Sequence, residues 1–314
     1  MAENTVKKIA TRESYGNSLK ELAEEFPNLV VLDADLAAAT KTGIFRKAYP
    51  DRHIDCGIAE SNMMGVAAGL SLVGKIPFVS SFAMFAAGRA FEQVRNSIGY
   101  PHLNVKIGAT HAGITVGEDG ATHQCNEDIA LMRTIPGMVV MCPSDDVEAR
   151  AAVRAALEYE GPVYIRFGRA EVPVINDHPG YHFEIGKGTV VREGKDVTIV
   201  ATGICVDSAL GAAKMLEEEG ISAEVVNICT IKPLDEEIII NSAKKTGKVV
   251  TVEEHSVIGG LGSAVCDCLC ANHPVPVKKV GMQDVFGESG SAAALVEKYG
   301  LDAKGVYKSV KEFL

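Results

Sequence analysis

The sequence predicts an α/β protein of two doubly wound domains, a larger one with a mainly parallel sheet followed by a smaller one. Apolar segments of strand length alternate with helical segments along almost the whole chain, which is typical of parallel sheets covered by helices. A polar stretch containing Pro179 and Gly180 interrupts the alternation. The 314 residues, 47% of them hydrophobic, suffice for two cores. We expect a first domain at 1–175, a linker at 176–190 and a second domain at 191–314.

In the first region, apolar residues at helical spacing alternate with short runs that end in polar residues or glycine. The predicted strands there are 28–33, 53–56, 76–80, 103–109, 138–142 and 163–167, and the predicted helices are 15–26, 60–72, 85–97, 125–133 and 145–158. The same alternation resumes after the polar stretch. It predicts strands at 197–201, 223–227, 248–252 and 277–280, and helices at 206–219, 236–245, 261–270, 292–298 and 306–313.

Composition excludes several classes of partner. The net charge of -10 argues against binding to nucleic acid or to an anionic membrane surface. No apolar run reaches membrane-spanning length and the N-terminus lacks the apolar segment of a signal peptide, so we expect a cytoplasmic protein. The cysteine cluster Cys266-Asp-Cys-Leu-Cys270 does not have the paired spacing of a zinc site. Buried thiols are the better account of the eight cysteines.

Five polar or aromatic residues follow predicted strands directly: Asp35, Glu60, Phe82, His111 and Arg169. Ligands of parallel sheets bind at the carboxyl ends of the strands. These residues are therefore expected at one edge of the first sheet.

The segment 111–124, here called the histidine loop, concentrates titratable groups. It contains His111 and His123, twelve residues apart, with glycines between them and the acidic pair Glu118-Asp119. Two imidazoles and two carboxylates can serve one small polar ligand. From spacing alone, a glycine-rich connection with solvated charges is equally well supported.

The run Gly-Glu-Asp-Gly-Ala-Thr-His-Gln, preceded by Ala-Thr-His111, resembles the signature loop of the pyrimidine-binding domain of transketolases. Deoxyxylulose phosphate synthases carry a looser version of this loop. The resemblance implies a thiamine diphosphate enzyme, with a pyrimidine-binding domain at 1–175 and a transketolase C-terminal domain at 191–314.

The resemblance also assigns cofactor contacts. Glu60 matches the glutamate that donates to the aminopyrimidine ring and makes it a base, which is a catalytic role. Phe82 and Phe85 match the aromatic residues that hold this ring, while Ile58 lines the pocket and Asp35 approaches the thiazolium side. An acid in the first turn of a helix and two ordinary core aromatics remain the alternatives.

For the sugar phosphate, the resemblance assigns Arg12, His111 and Arg169 to the phosphate, and Asp119 and His123 to the hydroxyls. Guanidinium groups bind phosphate dianions well, and neutral imidazole can donate to a hydroxyl and shuttle its proton, so both histidines are also catalytic candidates. Either arginine could instead be a solvated surface charge.

One departure from the family pattern concerns the phosphate. Ala39 stands where the family commonly has a serine that contacts the phosphate. Either Thr40 or Thr42 substitutes for this hydroxyl, or phosphate recognition is altered.

The larger departure is a missing motif. The chain lacks Gly-Asp-Gly with a downstream Asn-Asn, through which these enzymes bind Mg²⁺ and the cofactor diphosphate. The resemblance therefore implies the C-terminal subunit of a split transketolase, completed by a separate N-terminal chain that holds the metal, and an assembly of two copies of each.

Val252-Glu-Glu-His255-Ser-Val-Ile-Gly-Gly-Leu-Gly262 is a pattern shared by transketolases, deoxyxylulose phosphate synthases and 2-oxoacid dehydrogenase β subunits. A glycine loop that opens a helix can bind an anion. Because the pattern occurs with different substrates, packing and assembly are the preferred interpretation.

The leading hypothesis is transfer of a two-carbon ketol unit from a ketose phosphate to an aldose phosphate. A deoxyxylulose phosphate synthase or 2-oxoacid dehydrogenase component is the alternative within thiamine chemistry. A non-catalytic scaffold of the same fold is the other, although a scaffold would not need Glu60.

Overall fold

The computed structural model describes residues 7–314; the first six residues of the predicted first domain lie outside this range. In the first part of the chain the strands are β1 (Lys8–Ala10), β2 (Leu29–Asp33), β3 (His53–Asp55), β4 (Ile76–Phe82), β5 (Lys106–Thr110), β6 (Val139–Met141), β7 (Val163–Arg166) and β8 (Glu171–Pro173). The α-helices are α1 (Thr11–Leu22), α2 (Ala37–Thr40), α3 (Gly43–Ala48), α4 (Glu60–Leu72), α5 (Phe91–Gln93), α6 (Asp128–Arg133) and α7 (Asp146–Glu158).

In the second part, the strands are β9 (Thr189–Arg192), β10 (Val197–Ala201), β11 (Ala223–Asn227), β12 (Thr230–Lys232), β13 (Val249–Ser256) and β14 (Val277–Met282). The helices are α8 (Cys205–Glu218), α9 (Glu236–Thr246), α10 (Leu261–Asn272), α11 (Ala292–Lys298) and α12 (Ala303–Phe313). Strand β9 overlaps the last two residues of the predicted linker.

Two sheets organise the molecule. The larger has seven strands in the order β12-β6-β7-β5-β4-β2-β3, parallel except for β12. The smaller has the order β14-β13-β10-β11-β9, parallel except for β9. Strands β1 and β8 form a separate antiparallel pair. The predicted fold class, two α/β units with mainly parallel sheets, is confirmed.

Close packing of α1 against the first sheet explains one glycine. The ring of Tyr15, fully buried, stacks on Phe167 at 4.7 Å between centroids. A Cβ at Gly108 on β5 would lie 2.4 Å from that ring. Only glycine therefore lets the helix approach the strand this closely.

Strand β12 joins the two parts of the chain. It comes after β11 in sequence but pairs antiparallel with β6, at the edge of the first sheet. The amine of Lys232 donates to the carbonyls of Arg133 and Ile135 at 2.9 and 2.5 Å. The short segment 230–232 has no sequence periodicity that would reveal this pairing.

The structure corrects three predicted helices. The helix expected at 15–26 is observed at Thr11–Leu22, four residues earlier. The helix expected at 85–97 is divided into π-helical segments, Met84–Arg89 and Val94–Gly99, on either side of the short α5. Apolar spacing does not specify whether amides bond four or five residues back, so a π-bulge is not visible in the sequence. The helix expected from 125 begins at Asp128, because Cys125 pairs with Ala112 in an isolated bridge.

Within residues 7–314, none of the helices combines the length and apolar character needed to cross a membrane.

Candidate active site

The candidate residues lie at the carboxyl edge of the first sheet, where parallel neighbours β2, β3, β4, β5 and β7 end. The rings of Phe82, Phe85 and His123 contact one another, and His111 stacks on Phe82. Glu60 joins them through Arg89. These contacts form the centre of the site.

Two predicted cofactor residues, Asp35 and Ile58, take no part in the ring contacts and ion pair of this centre. Asp35 is exposed with φ 59°, and its amide donates to the Asp55 carboxylate at 3.1 Å. Ile58 is 76% exposed. Within residues 7–314, neither side chain makes a hydrogen bond or ring contact to the other candidates. Their roles toward a cofactor stay predictions.

Glu60 is the first residue of α4 and is 2% exposed. One carboxylate oxygen accepts from Arg89 Nη1 at 2.9 Å, and the other accepts from the Ser81 hydroxyl at 3.5 Å. An interaction with the helix dipole alone does not require a glutamate to be buried. The structure instead buries this carboxylate beside the aromatic pair.

Arg89 is a site residue that sequence reasoning missed. Its guanidinium lies 4.5 Å from the centroid of the Phe85 ring while it pairs with Glu60, and its side chain is 52% exposed. The π-helical segment that ends at Arg89 directs it toward the site. The sequence contained only an arginine seven residues after Phe82, with no signal for this turn.

The aromatic residues form a compact cluster. The rings of Phe82 and Phe85 are 6.0 Å apart and 12° from parallel, and Phe82 stacks on His111 at 3.9 Å. His123 meets Phe85 edge to face at 5.4 Å. Both histidines of the loop therefore reach the aromatic pair, as expected for one site.

His111 is held in its neutral form. Its ring lies 3.0 Å from Arg12 Nη1 through Nε2 and 2.9 Å from the Thr110 hydroxyl through Nδ1. Because the guanidinium can only donate, Nε2 accepts, and Nδ1–H donates to Thr110. Burial, with the nearby charges of Arg12 and Arg169, lowers the pKa of His111 to about 3.

We expect the His111 ring to show no titration between about pH 5 and pH 8 when followed by imidazole NMR. In the Arg12→Leu variant, the pKa of His111 is expected to move upward, because one of the two charges that lower it is removed. The contribution of neutral His111 to the free energy of unfolding is complete above pH 6.5, the ordinary pKa of histidine. It is lost as pH falls toward about 3, the pKa of His111 in the folded protein. A His111 that titrates near neutral pH in the unmodified protein would contradict this assignment.

Arg169 and Asp119 are also brought together. Arg169 Nη1 lies 3.5 Å from an oxygen of Asp119 and 3.7 Å from one of Glu118, and it donates to the carbonyl of Val116. Its side chain is 38% exposed. The guanidinium thus pairs with both acids at the tip of the histidine loop and offsets one of their two negative charges.

The structure bears on the hydroxyl missing at Ala39. Thr40 and Thr42 are fully buried, and both hydroxyls donate to one oxygen of Asp33, at 2.9 and 2.8 Å. Neither is therefore free to replace a serine at position 39. The carbonyl of Ala39 accepts from Arg12 Nη1 at 3.0 Å instead.

A cavity of about 710 Å³ opens beside Phe85 and Arg89. Its far wall comes from the second part of the chain and includes Val285 and Phe286, the latter 87% exposed. Within residues 7–314, no group of three or more His, Cys, Asp or Glu side chains is arranged to hold a metal ion. The site thus offers an aromatic and carboxylate surface without a metal centre.

Two family models match the chain. The pyrimidine binding domain of transketolase matches residues 7–174, and the transketolase C-terminal domain matches residues 186–306. A putative transketolase C-terminal section from Methanocaldococcus jannaschii is 52% identical over 303 residues, covering 96% of this chain and 95% of that protein.

Two further relatives agree. A 6-deoxy-6-sulfo-D-fructose transketolase subunit from Clostridium sp. is 49% identical over 301 residues, covering 96% of this chain and 93% of that protein. A solved structure described as a split gene transketolase, inactive beta4 tetramer, is 58% identical, has a TM-score of 0.89 and covers 98% of both chains. The chain therefore belongs to the transketolase family and corresponds to its C-terminal section, the pyrimidine-binding and C-terminal domains together.

Proposed function

We propose that this chain is the C-terminal subunit of a two-chain transketolase that moves a two-carbon ketol unit from a ketose phosphate to an aldose phosphate. The observation that carries the proposal is the buried carboxylate of Glu60 beside the stacked rings of Phe82 and Phe85. We assign residues 1–175 to the pyrimidine-binding domain, 176–190 to the linker and 191–314 to the C-terminal domain. The ranges matched by the two family models support this division.

The residues present fit one end of thiamine diphosphate. An aminopyrimidine requires an aromatic surface and an acid at its edge, and Phe82, Phe85 and Glu60 supply both. When bound, this cofactor supplies the nucleophilic carbon and electron sink needed to break the bond beside a ketose carbonyl.

The diphosphate end has no counterpart in the described residues. Mg²⁺ in such sites is held by one or two carboxylates and other oxygen ligands together with phosphates, and the Gly-Asp-Gly and Asn-Asn motif that supplies them in this family is missing from the sequence. We assign the metal and the diphosphate to a separate N-terminal chain. Two copies of each subunit would make a closed symmetric assembly.

The remaining candidate residues fall into two groups, one for the phosphate and one for the hydroxyls of the ketose. Arg12 and Arg169 supply cationic donors for the phosphate, with His111 between Arg12 and the aromatic pair. Asp119 and His123 are placed on the histidine loop to bind the ketose hydroxyls. His123 also carries protons to and from them, the role that histidine most often has in general acid–base catalysis.

The proposed function is tested by isolating the chain from its native extract together with any bound partner. The complex is expected to form sedoheptulose 7-phosphate from xylulose 5-phosphate and ribose 5-phosphate, only when thiamine diphosphate is present. The recombinant chain alone is expected to be inactive. Activity of the isolated chain would contradict the assignment of the diphosphate site to a partner.

A partnered complex without this activity would contradict the substrate assignment, and products of deoxyxylulose phosphate synthase or 2-oxoacid dehydrogenase chemistry would then be assayed. Absence of all three reactions would favour a non-catalytic scaffold.

A ketose with a different anionic end is the second candidate substrate. The chain has no hydroxyl at Ala39, and the buried hydroxyls of Thr40 and Thr42 are both used by Asp33. A sulfonate carries one negative charge and needs fewer donors than a phosphate dianion. The similarity to the sulfofructose transketolase subunit supports testing 6-deoxy-6-sulfo-fructose as donor beside xylulose 5-phosphate.

A further inference from the structure

Two adjacent glutamates of β13, Glu253 and Glu254, are buried, at 0% and 3% exposure. Side chains of successive strand residues point to opposite faces of a sheet. Glu253 turns toward its own domain and accepts from the amides of Leu261 and Gly262, at 2.7 and 2.8 Å, at the start of α10. The free amides at the N-terminus of α10 are therefore paired with a carboxylate of the chain itself. The anion expected at the glycine loop is Glu253.

Glu254 turns the other way, into the first domain. One carboxylate oxygen accepts from the backbone amide of Thr115 at 2.7 Å, 139 residues away in sequence. Gly113 has φ 75°, and a Cβ there would lie 2.3 Å from the carboxyl carbon of Glu254. Glycine at position 113 thus leaves the space in the histidine loop that this carboxylate occupies.

A buried charge network holds Glu254 in this orientation. Arg166 Nη1 lies 3.5 Å from its carboxylate, and Nη2 donates to its backbone carbonyl at 2.7 Å. The same guanidinium pairs with Asp128 at 3.0 Å, and Asp128 accepts from the Tyr164 hydroxyl at 2.8 Å. Arg166 and Asp128 therefore restrict the orientation of the Glu254 carboxylate that contacts the loop.

Other contacts with the second domain hold the same loop. Gln124 Nε2 lies 2.9 Å from the carbonyl of Glu288, and 3.2 Å from the carbonyls of Ile114 and Gly117 within the loop. A Cβ at Gly117 would lie 3.3 Å from the carbonyl of Gly290. The second domain thus contacts the loop on both sides of its acidic tip.

We infer that Glu254 is a positioning residue: it holds the histidine loop through the Thr115 amide, so that Asp119 and His123 face the substrate. The inference rests on the proposed function for its substrate and assigns a role to the C-terminal domain, which holds the substrate loop of its neighbour. Glu253, equally buried one residue earlier, has no such role.

Glu254→Asp keeps the negative charge and the backbone carbonyl that accepts from Arg166, but withdraws the carboxylate from Thr115. Glu253→Asp makes the same change toward α10 and is the matched control. Amide hydrogen exchange on the full chain is expected to accelerate roughly tenfold at Thr115 in Glu254→Asp, the effect of weakening a bond to a charged acceptor, without change at Leu261 and Gly262. Glu253→Asp is expected to show the reverse pattern.

A third variant, Glu254→Gln, keeps an acceptor at full length and is expected to restore most of the protection at Thr115. Unchanged exchange in Glu254→Asp would overturn the inference. An equal loosening of the loop by Glu253→Asp would also overturn it, because the effect would then be general destabilisation.

In the assembled complex, Glu254→Asp is expected to raise KM for the ketose phosphate about fivefold, because the loop carries Asp119, and also to lower kcat, because the same loop carries His123. Glu253→Asp is expected to leave KM unchanged. A mobile loop with unaltered KM would overturn the positioning role. If the unmodified complex has no transfer activity, the proposed function fails, while the exchange measurement still decides whether Glu254 holds the loop.

Discussion

Glu60→Gln is expected to lower kcat/KM of the assembled complex about 10³-fold, within the range that a positioned acid or base contributes. Glutamine has the shape of Glu60 but carries no exchangeable acid proton and no negative charge. The loss should appear in kcat, measured by steady-state formation of the ketose product at saturating thiamine diphosphate.

The fold should tolerate this substitution. The amide oxygen of glutamine can still accept from Arg89, which contacts Glu60 at 2.9 Å at the half-exposed mouth of the site. Glu92→Gln, at an exposed acid of α5, is the matched control and should retain normal activity. Full activity of the Glu60 variant would exclude its catalytic role.

Arg166→Met is expected to reduce the free energy of unfolding by about 3–5 kcal/mol, the usual cost of removing one partner from a buried ion pair. Arg166 is 5% exposed and is shared between Asp128 and Glu254. Methionine has similar length but leaves two buried carboxylates without their cation. Denaturant titration monitored by circular dichroism measures the loss.

This loss should depend on pH. Burial raises the pKa of Glu254, and Arg166 lowers it, so removal of Arg166 raises the pKa further. A carboxyl with a raised pKa binds its proton more tightly in the folded state, and the stability of the variant therefore falls as pH rises above the pKa of the unfolded group. The deficit should be larger at about pH 8 than at about pH 5.5.

Arg150→Met provides the comparison for Arg166. Arg150 pairs with Glu21 and Asp146, but its side chain is 35% exposed, so water screens both pairs. Its loss should cost less than about 1 kcal/mol. Similar losses for the two variants would show that the network around Arg166 is not strongly coupled.

Most of the fold could be predicted from the sequence, because the alternation of strand and helix segments and the spacing of apolar residues show which side of each element is buried. The strands near 29, 76, 163, 197, 223 and 249 were predicted within one residue of their observed starts. Segments such as β12 and the π-helical segments were missed, because tertiary pairing rather than local pattern decides them.

The candidate site was predictable to a more limited degree. Ligands of parallel sheets bind at the carboxyl ends of the strands, and this rule predicted that Glu60, Phe82 and His111 would share a sheet edge. The structure places all three there. The rule could not reveal Arg89, whose direction depends on a π-bulge, or the tautomer of His111, which depends on Arg12, 99 residues away. The chemical roles of these residues stay predictions until the variants are assayed.

Local patterns and contiguous motifs were enough to identify the fold class, the transketolase resemblance and the sheet edge at which the site lies. The contacts of Arg89 with Glu60, and of Glu254 with Thr115 in the other domain, became visible in the folded structure. Both contacts join residues far apart in the chain, and their energy depends on burial and direction. A linear pattern records neither quantity, because both arise only when the elements pack.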